Sequence, residues 1–269
     1  MRIDVHSFFD AITGTFSHLV HSPDQRQCAV IDAVLGFDPA NGHTDTRLAD
    51  EIAAHIQTRG LQLEWLLETH VHADHLSGAS YLRDRLGGRI GISEKVRDVC
   101  AALADRYGPF VTEPYDYLFG DDEALRIGDL SVRALAVPGH TVADIAYEID
   151  RQMVFVGDTL FAPDVGTARC DFPGGNAKIL YRSIRRLLAL PPDTRLFMCH
   201  DYPPSDRRPL AECSVAEQRA LNIHVHDGIS EEAFEVMRKA RDATLAAPRL
   251  LVPSIRANLG AASPYRPME

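Results

Sequence analysis

Residues 69 to 75 read Thr-His-Val-His-Ala-Asp-His, which places His70, His72, Asp74 and His75 within six consecutive positions. Imidazole nitrogen and carboxylate oxygen together suit a divalent cation of the zinc, iron or manganese kind. Three further candidates stand where apolar runs stop: His140 in Pro138-Gly-His-Thr141, Asp158 in Gly157-Asp-Thr159 and His200 in Cys199-His-Asp-Tyr202. Seven candidate ligands exceed the usual three or four for one ion. Either two metals bind, or some of these groups orient the true ligands from behind. No cysteine is expected among the ligands, which argues against a structural, soft-metal site.

Such a cluster needs elements that aim its members at one point. Leu61 to Leu67 reads as a strand ending at Glu68-Thr69, and alternation along an extended chain aims His70 and His72 the same way. Asp74 and His75 then open a helix expected from Leu76 to Arg85. Leu130 to Val137, Gln152 to Val156 and Arg195 to Cys199 read as strands feeding the other three exits. Gly139 and Gly157 give those exits their sharp turns. Cys28 to Leu35 reads as one buried strand, with a loop at Asp38 to Gly42. Thr44 to Thr58, Ser93 to Tyr107, Asn176 to Ala189, Val215 to His224 and Ser230 to Leu245 show helical spacing. Short strands are expected at Arg89 to Ile92, Tyr115 to Phe119, Ala124 to Ile127 and Ala143 to Ile149. Two strand-and-helix halves without a linker predict a layered α/β sandwich, read as one domain over 1–269.

Composition limits the partners. The chain has 269 residues, 45% hydrophobic and 25% charged, with a formal net charge of −10. That excess of acid argues against nucleic acid or an anionic membrane surface as partner. No apolar stretch approaches the roughly 18 residues of a membrane span, and the first ten residues lack a signal-peptide core. A cytoplasmic location is the expectation. Five cysteines without a CxxC pair argue against a disulfide scaffold. His224-Val-His226-Asp227 repeats the histidine spacing, but it closes an expected helix and reads as an end cap or surface feature. Arg182, Arg185 and Arg186 read as a solvated helix face.

With these residues in view, the chain resembles the metallo-β-lactamase superfamily. His70-Val-His-Ala-Asp-His75 matches its HxHxDH signature, and His140, Asp158 and His200 follow in its order. Within the superfamily the wording is most similar to the persulfide dioxygenase group. The matching stretches are Glu68 to His75, Pro138 to Thr141, Gly157 to Leu160, Arg169-Cys-Asp-Phe172 and His200-Asp-Tyr202. Gly166 to Gly175 is especially similar to the bacterial β-lactamase-hydrolase-like branch. The resemblance implies an αββα sandwich with its site at one edge of two packed sheets. It also implies one Fe(II) per chain on His70, His140 and Asp158, with His72, Asp74, His75 and His200 in support or serving a second metal. Arg169 would bind substrate, and Tyr202 would meet the bound sulfur as a catalytic and substrate-binding group. The implied reaction is oxidation of a persulfide, such as glutathione's, by O₂ to sulfite and free thiol, in a family where homodimers are common. The alternative is a glyoxalase II-like thioester hydrolase using two zinc ions.

Overall fold

In a computed structural model, residues 2–108, 110 and 115–260 are described. The strands in chain order are β1 (Asp4–Asp10), β2 (Thr15–His21), β3 (Gln27–Ile31), β4 (Val34–Asp38), β5 (His43–Asp45), β6 (Gln62–Leu67), β7 (Leu76–Ser77), β8 (Arg89–Ser93) and β9 (Tyr117–Phe119) in the first half. The second half adds β10 (Glu123–Ile127), β11 (Leu130–Ala136), β12 (Ile145–Ile149), β13 (Met153–Phe155), β14 (Arg195–Phe197) and β15 (Glu212–Ser214). The helices are α1 (Arg47–Thr58), α2 (Ala79–Leu86), α3 (Val96–Tyr107), α4 (Ala177–Leu188), α5 (Val215–Leu221), α6 (Glu231–Asp242) and α7 (Leu251–Asn258).

One sheet runs β1-β2-β3-β6-β8-β9, the other β10-β11-β12-β13-β14-β15, with a small β5-β4-β7 sheet beside them. Apolar residues on the facing sides make the central layer: Val20, Ile31 and Leu67 of the first sheet meet Val132, Tyr147 and Phe155 of the second. The outer faces are covered by helices. Ile52, Ala53 and Ile56 of α1 pack on the first sheet, and Leu180, Ile184 and Leu187 of α4 pack on the second. This is the expected αββα sandwich, each layer burying the apolar face of the next.

Several boundaries differ from the sequence expectation. Cys28 to Leu35 is not one strand: it breaks at Asp32, whose φ of 53° lies in the left-handed region. Leu76 does not open a helix, because Leu76 and Ser77 pair with Val34 and Leu35, and the helix begins at Ala79. The segment expected to be helical to His224 ends at Leu221. The Asp38–Gly42 loop closes a hairpin of β4 and β5. Arg182, Arg185 and Arg186 lie on the outer side of α4 and pair with Glu231, Asp227 and Asp121. No helix among the described residues is long and apolar enough to cross a membrane.

His18 sits between the two sheets, its ring 5.2 Å from that of Phe155. Its Nδ1 lies 2.8 Å from Ser7 Oγ and its Nε2 donates to the Met198 carbonyl at 2.9 Å. Burial lowers it from 6.5 to about 4. The unfolded chain therefore takes up a proton near pH 6.5 that the folded chain refuses until about 4. Stability is expected to be full above pH 6.5 and to fall as the pH drops towards 4, this group costing about 3 kcal/mol. Denaturant melts of the protein and of His18→Gln at pH 7 and pH 5 check this, and the variant should lose less.

Candidate metal centre

The cluster forms where strands of both sheets end. Glu68 to His75 leave β6, Pro138 to His140 leave β11, Gly157 and Asp158 leave β13, and Met198 to Asp201 leave β14. Carboxyl ends of sheet strands are where binding groups collect, since loops there are held by a rigid frame. Gly139 is indispensable to one exit. Its φ is 144°, and a Cβ added there would lie 2.3 Å from the Leu180 Cα.

Each histidine gives one ring nitrogen to the protein and leaves the other facing inward. The Nδ1 of His70 bonds Thr69 Oγ1 at 3.0 Å, that of His140 the Arg169 carbonyl at 2.7 Å and that of His75 the Leu76 carbonyl at 3.1 Å. His200 Nδ1 lies 3.1 Å from Thr15 Oγ1. His72 is reversed: its Nε2 lies 3.1 Å from both Asp32 Oδ1 and Glu68 Oε2. Such outer bonds fix ring orientation and tautomer, leaving the inward nitrogen as a lone pair.

Those inward atoms make two sets sharing Asp158. Asp158 Oδ2 lies 3.7 Å from His70 Nε2 and 3.6 Å from His140 Nε2. Its Oδ1 lies 3.5 Å from His200 Nε2, which is itself 3.3 Å from Asp74 Oδ2. Donors sharing an ion bound at about 2.1 Å stand about 3.0–3.5 Å apart, so both spacings are close to those of ligands. His72 Nδ1, Asp74 Oδ2, His75 Nε2, Asp158 Oδ1 and His200 Nε2 are buried and have no hydrogen-bond partner. Buried polar atoms without partners are expensive, and bound metal would give inward-facing nitrogens and oxygens of this kind their missing partner. The donor set fits a metal.

The electrostatics agree. Burial, then the neighbouring imidazoles, hold His70 well below its usual range, and burial lowers His75 to about 3. Both are neutral, as ligation requires. Burial would lower His72 too, but Asp32 and Glu68 hold it well above the usual range.

Three participants escaped the sequence reading. Asp32 accepts from Thr69 N–H at 2.8 Å and Thr69 Oγ1 at 2.9 Å as well as meeting His72. It therefore orients both His72 and, through Thr69, His70. Asn258 of α7 donates to the carbonyls of His72 and His75 at 2.9 and 3.0 Å and fastens the histidine loop from far along the chain. Cys199, expected to be outside the ligand set, is buried with its sulfur grouped among ligand atoms of His72, His75 and His200. His224 is neither cap nor surface: it is buried, and its Nδ1 accepts from the Thr167 N–H at 3.0 Å.

A cavity of about 420 Å³ opens above the cluster, with Asp74, His140, Asp158 and Tyr202 on its wall. The Tyr202 ring lies parallel to that of His200, 5.7 Å away, and burial raises its hydroxyl, so it stays protonated. Gly14 gives it room, since a Cβ there would lie 2.9 Å from Tyr202 Cε1. Arg169 also lines the cavity, but its Nε and Nη2 each lie 2.6 Å from Asp171 and its Nη1 donates to the Ala246 carbonyl at 2.7 Å. Cys170, beside it, is buried.

Fold and site together define a metal-dependent hydrolase or oxidoreductase. The chain belongs to the metallo-β-lactamase superfamily, whose sequence pattern matches residues 14–200. A probable metallo-hydrolase of Burkholderia pseudomallei is 46% identical, the match covering 96% of this chain and 92% of that one. The human mitochondrial persulfide dioxygenase ETHE1 is 30% identical over 81% of this chain and 74% of its own. The crystal structure of ETHE1 from Myxococcus xanthus superposes with a TM-score of 0.78 at 28% identity, over 96% of this chain and 99% of that one.

Proposed function

We propose that the chain is an iron-dependent persulfide dioxygenase, acting on glutathione persulfide or a closely related persulfide. The observation that carries the reading is the closed group of His70, His140 and Asp158, whose ligand atoms all lie within 4.8 Å of one another. Two imidazoles and one carboxylate on one face are the ligand set of non-haem Fe(II) oxygenases, with positions left for substrate and dioxygen. The similarity to a protein named persulfide dioxygenase supports the same choice.

His70, His140 and Asp158 would hold one Fe(II), which supplies a site where sulfur and O₂ meet one electron reservoir. The overall change is RSSH + O₂ + H₂O → RSH + SO₃²⁻ + 2 H⁺. The protein's residues do the placing. The Arg169 carbonyl and Thr69 hydroxyl keep the two imidazoles aimed, and Phe161, Val165 and Phe172 line an apolar stretch of cavity that limits water. Tyr202 presents a protonated hydroxyl to the substrate's sulfur. A persulfide is already largely ionised near neutral pH, so no separate general base is needed. Arg169, held by Asp171, shapes the substrate wall.

One observation favours a second reading. Asp74, His75, His200 and the free oxygen of Asp158 form a complete second set, as a dinuclear zinc thioester hydrolase requires. Paired assays separate the two: glutathione persulfide-dependent sulfite release against S-lactoylglutathione hydrolysis. Sulfite without thioester cleavage is expected; thioester cleavage without sulfite would overturn the proposal. Arg169→Ala should raise KM for the persulfide more than it lowers kcat, because it bares Asp171 to an anionic substrate. An unchanged KM would remove Arg169 from the substrate wall.

A further inference from the structure

Four arginines line the cavity above the cluster: Arg169, Arg238, Arg241 and Arg249. Two are committed to the protein. Arg238 is buried with its Nε and Nη2 on Asp242 Oδ1 at 2.8 and 2.7 Å and its Nη1 on the Thr167 carbonyl. Arg169 spends its guanidinium on Asp171 and Ala246. Arg241 and Arg249 differ: both are exposed, and neither has an ion pair or side-chain hydrogen bond among the described residues.

Their position is unusual for this chain. Acidic residues outnumber basic ones 38 to 28, and most surface arginines discussed above have found a carboxylate. Arg241 follows Arg238 by three positions on α6, which puts both on neighbouring parts of one helix face. Arg249 stands just before α7, across the largely exposed 243–249 segment. Two guanidiniums without acidic partners thus flank a cavity whose floor holds the reactive cluster. Each offers a planar fork that matches a carboxylate in two parallel hydrogen bonds. A volume of about 420 Å³ suits a small peptide-sized ligand.

We propose that Arg241 and Arg249 form the anion clamp of this cavity. They select a thiol carrier bearing carboxylates remote from its sulfur, such as a γ-glutamyl tripeptide, over inorganic or uncharged persulfides. The inference rests on the proposed function only in taking the substrate to be carried on a thiol. Glutathione serves both the dioxygenase and the thioester hydrolase readings, so the clamp can be tested apart from the reaction.

The test is calorimetric titration of the full-length, metal-loaded protein with S-methylglutathione, which cannot react, and with its dimethyl ester, which lacks both carboxylates. Arg241→Gln and Arg249→Gln should each weaken S-methylglutathione binding by about tenfold or more, while leaving the ester's weak binding unchanged. Both side chains are exposed, so the fold is retained. The clamp is overturned if the doubly substituted protein binds S-methylglutathione as tightly as the native one. Equal native affinity for acid and ester, or no native binding of the acid, overturns it too. Oxygen uptake is a separate readout. Its absence with an intact clamp would sink the dioxygenase reading alone, and its presence with an unaffected double variant would sink the clamp alone.

Discussion

Asp158→Ala is expected to empty the centre of metal and stop turnover, while leaving the metal-free fold almost as stable as before. Asp158 is the one side chain that faces both ligand sets, with Oδ2 towards His70 and His140 and Oδ1 towards His200. Its Oδ1 has no hydrogen-bond partner, so truncation leaves no protein donor newly buried and unpaired. The stability of the apo-protein should therefore shift by less than about 1 kcal/mol. Metal affinity should fall by more than about 100-fold, the upper end of what losing an outer partner alone costs. Elemental analysis after dialysis, together with melts in the presence and absence of metal, checks both halves.

Asp32→Ala should behave in the opposite sense. Asp32 coordinates nothing in the proposed arrangement, yet it accepts from the Thr69 backbone, the Thr69 hydroxyl and His72. Its removal leaves a buried N–H unpaired and deprives a buried imidazole of one of its two carboxylates. Breaking such a buried pair costs about 3–5 kcal/mol, so the apo-protein itself should melt far lower. Thr69 also holds His70, and the ligand frame loosens with it: a 10- to 100-fold loss of metal affinity is expected. Asp32→Asn keeps the shape and one acceptor, and should recover much of the stability but less of the affinity. A melt of Asp32→Ala equal to that of the unaltered chain would show that His72 and Thr69 are held by other groups.

The contrast between these two aspartates marks what sequence could and could not reveal. Asp158 was legible because it follows an apolar strand and a glycine, the same punctuation that precedes His140. Spacing alone announced His70 to His75, but the alternation expected to aim His70 and His72 together does not apply, because β6 ends at Leu67 and both histidines lie in the loop beyond it. Asp32 was hidden within an apolar run on both sides. Nothing in Cys28 to Leu35 signals that the chain turns left-handed there and ends one strand before another begins. Asn258 was unreadable for a different reason: its partners are backbone carbonyls of His72 and His75, and a carbonyl carries no sequence signature. Cys199 read as a strand residue beside a ligand, and only the closing of β14 onto the Thr15 end of β2 places its sulfur among the imidazoles. The ligands that share one strand end are a local pattern. The groups that orient them come from across the fold, and their role exists only after folding.

The same division explains why the ligand inventory does not by itself choose a reaction. Seven candidate ligands are present, and the second set is as complete as the first. What separates the readings is how many ions the centre keeps and which metal they are.

The most direct test is oxygen consumption by the full-length protein reconstituted with one Fe(II) per chain and given glutathione persulfide. The account predicts rapid O₂ uptake with one sulfite formed per O₂, lost in Asp158→Ala and not restored by zinc. Retention of two zinc ions per chain, with thioester hydrolysis and no O₂ uptake in the iron-loaded form, would contradict it.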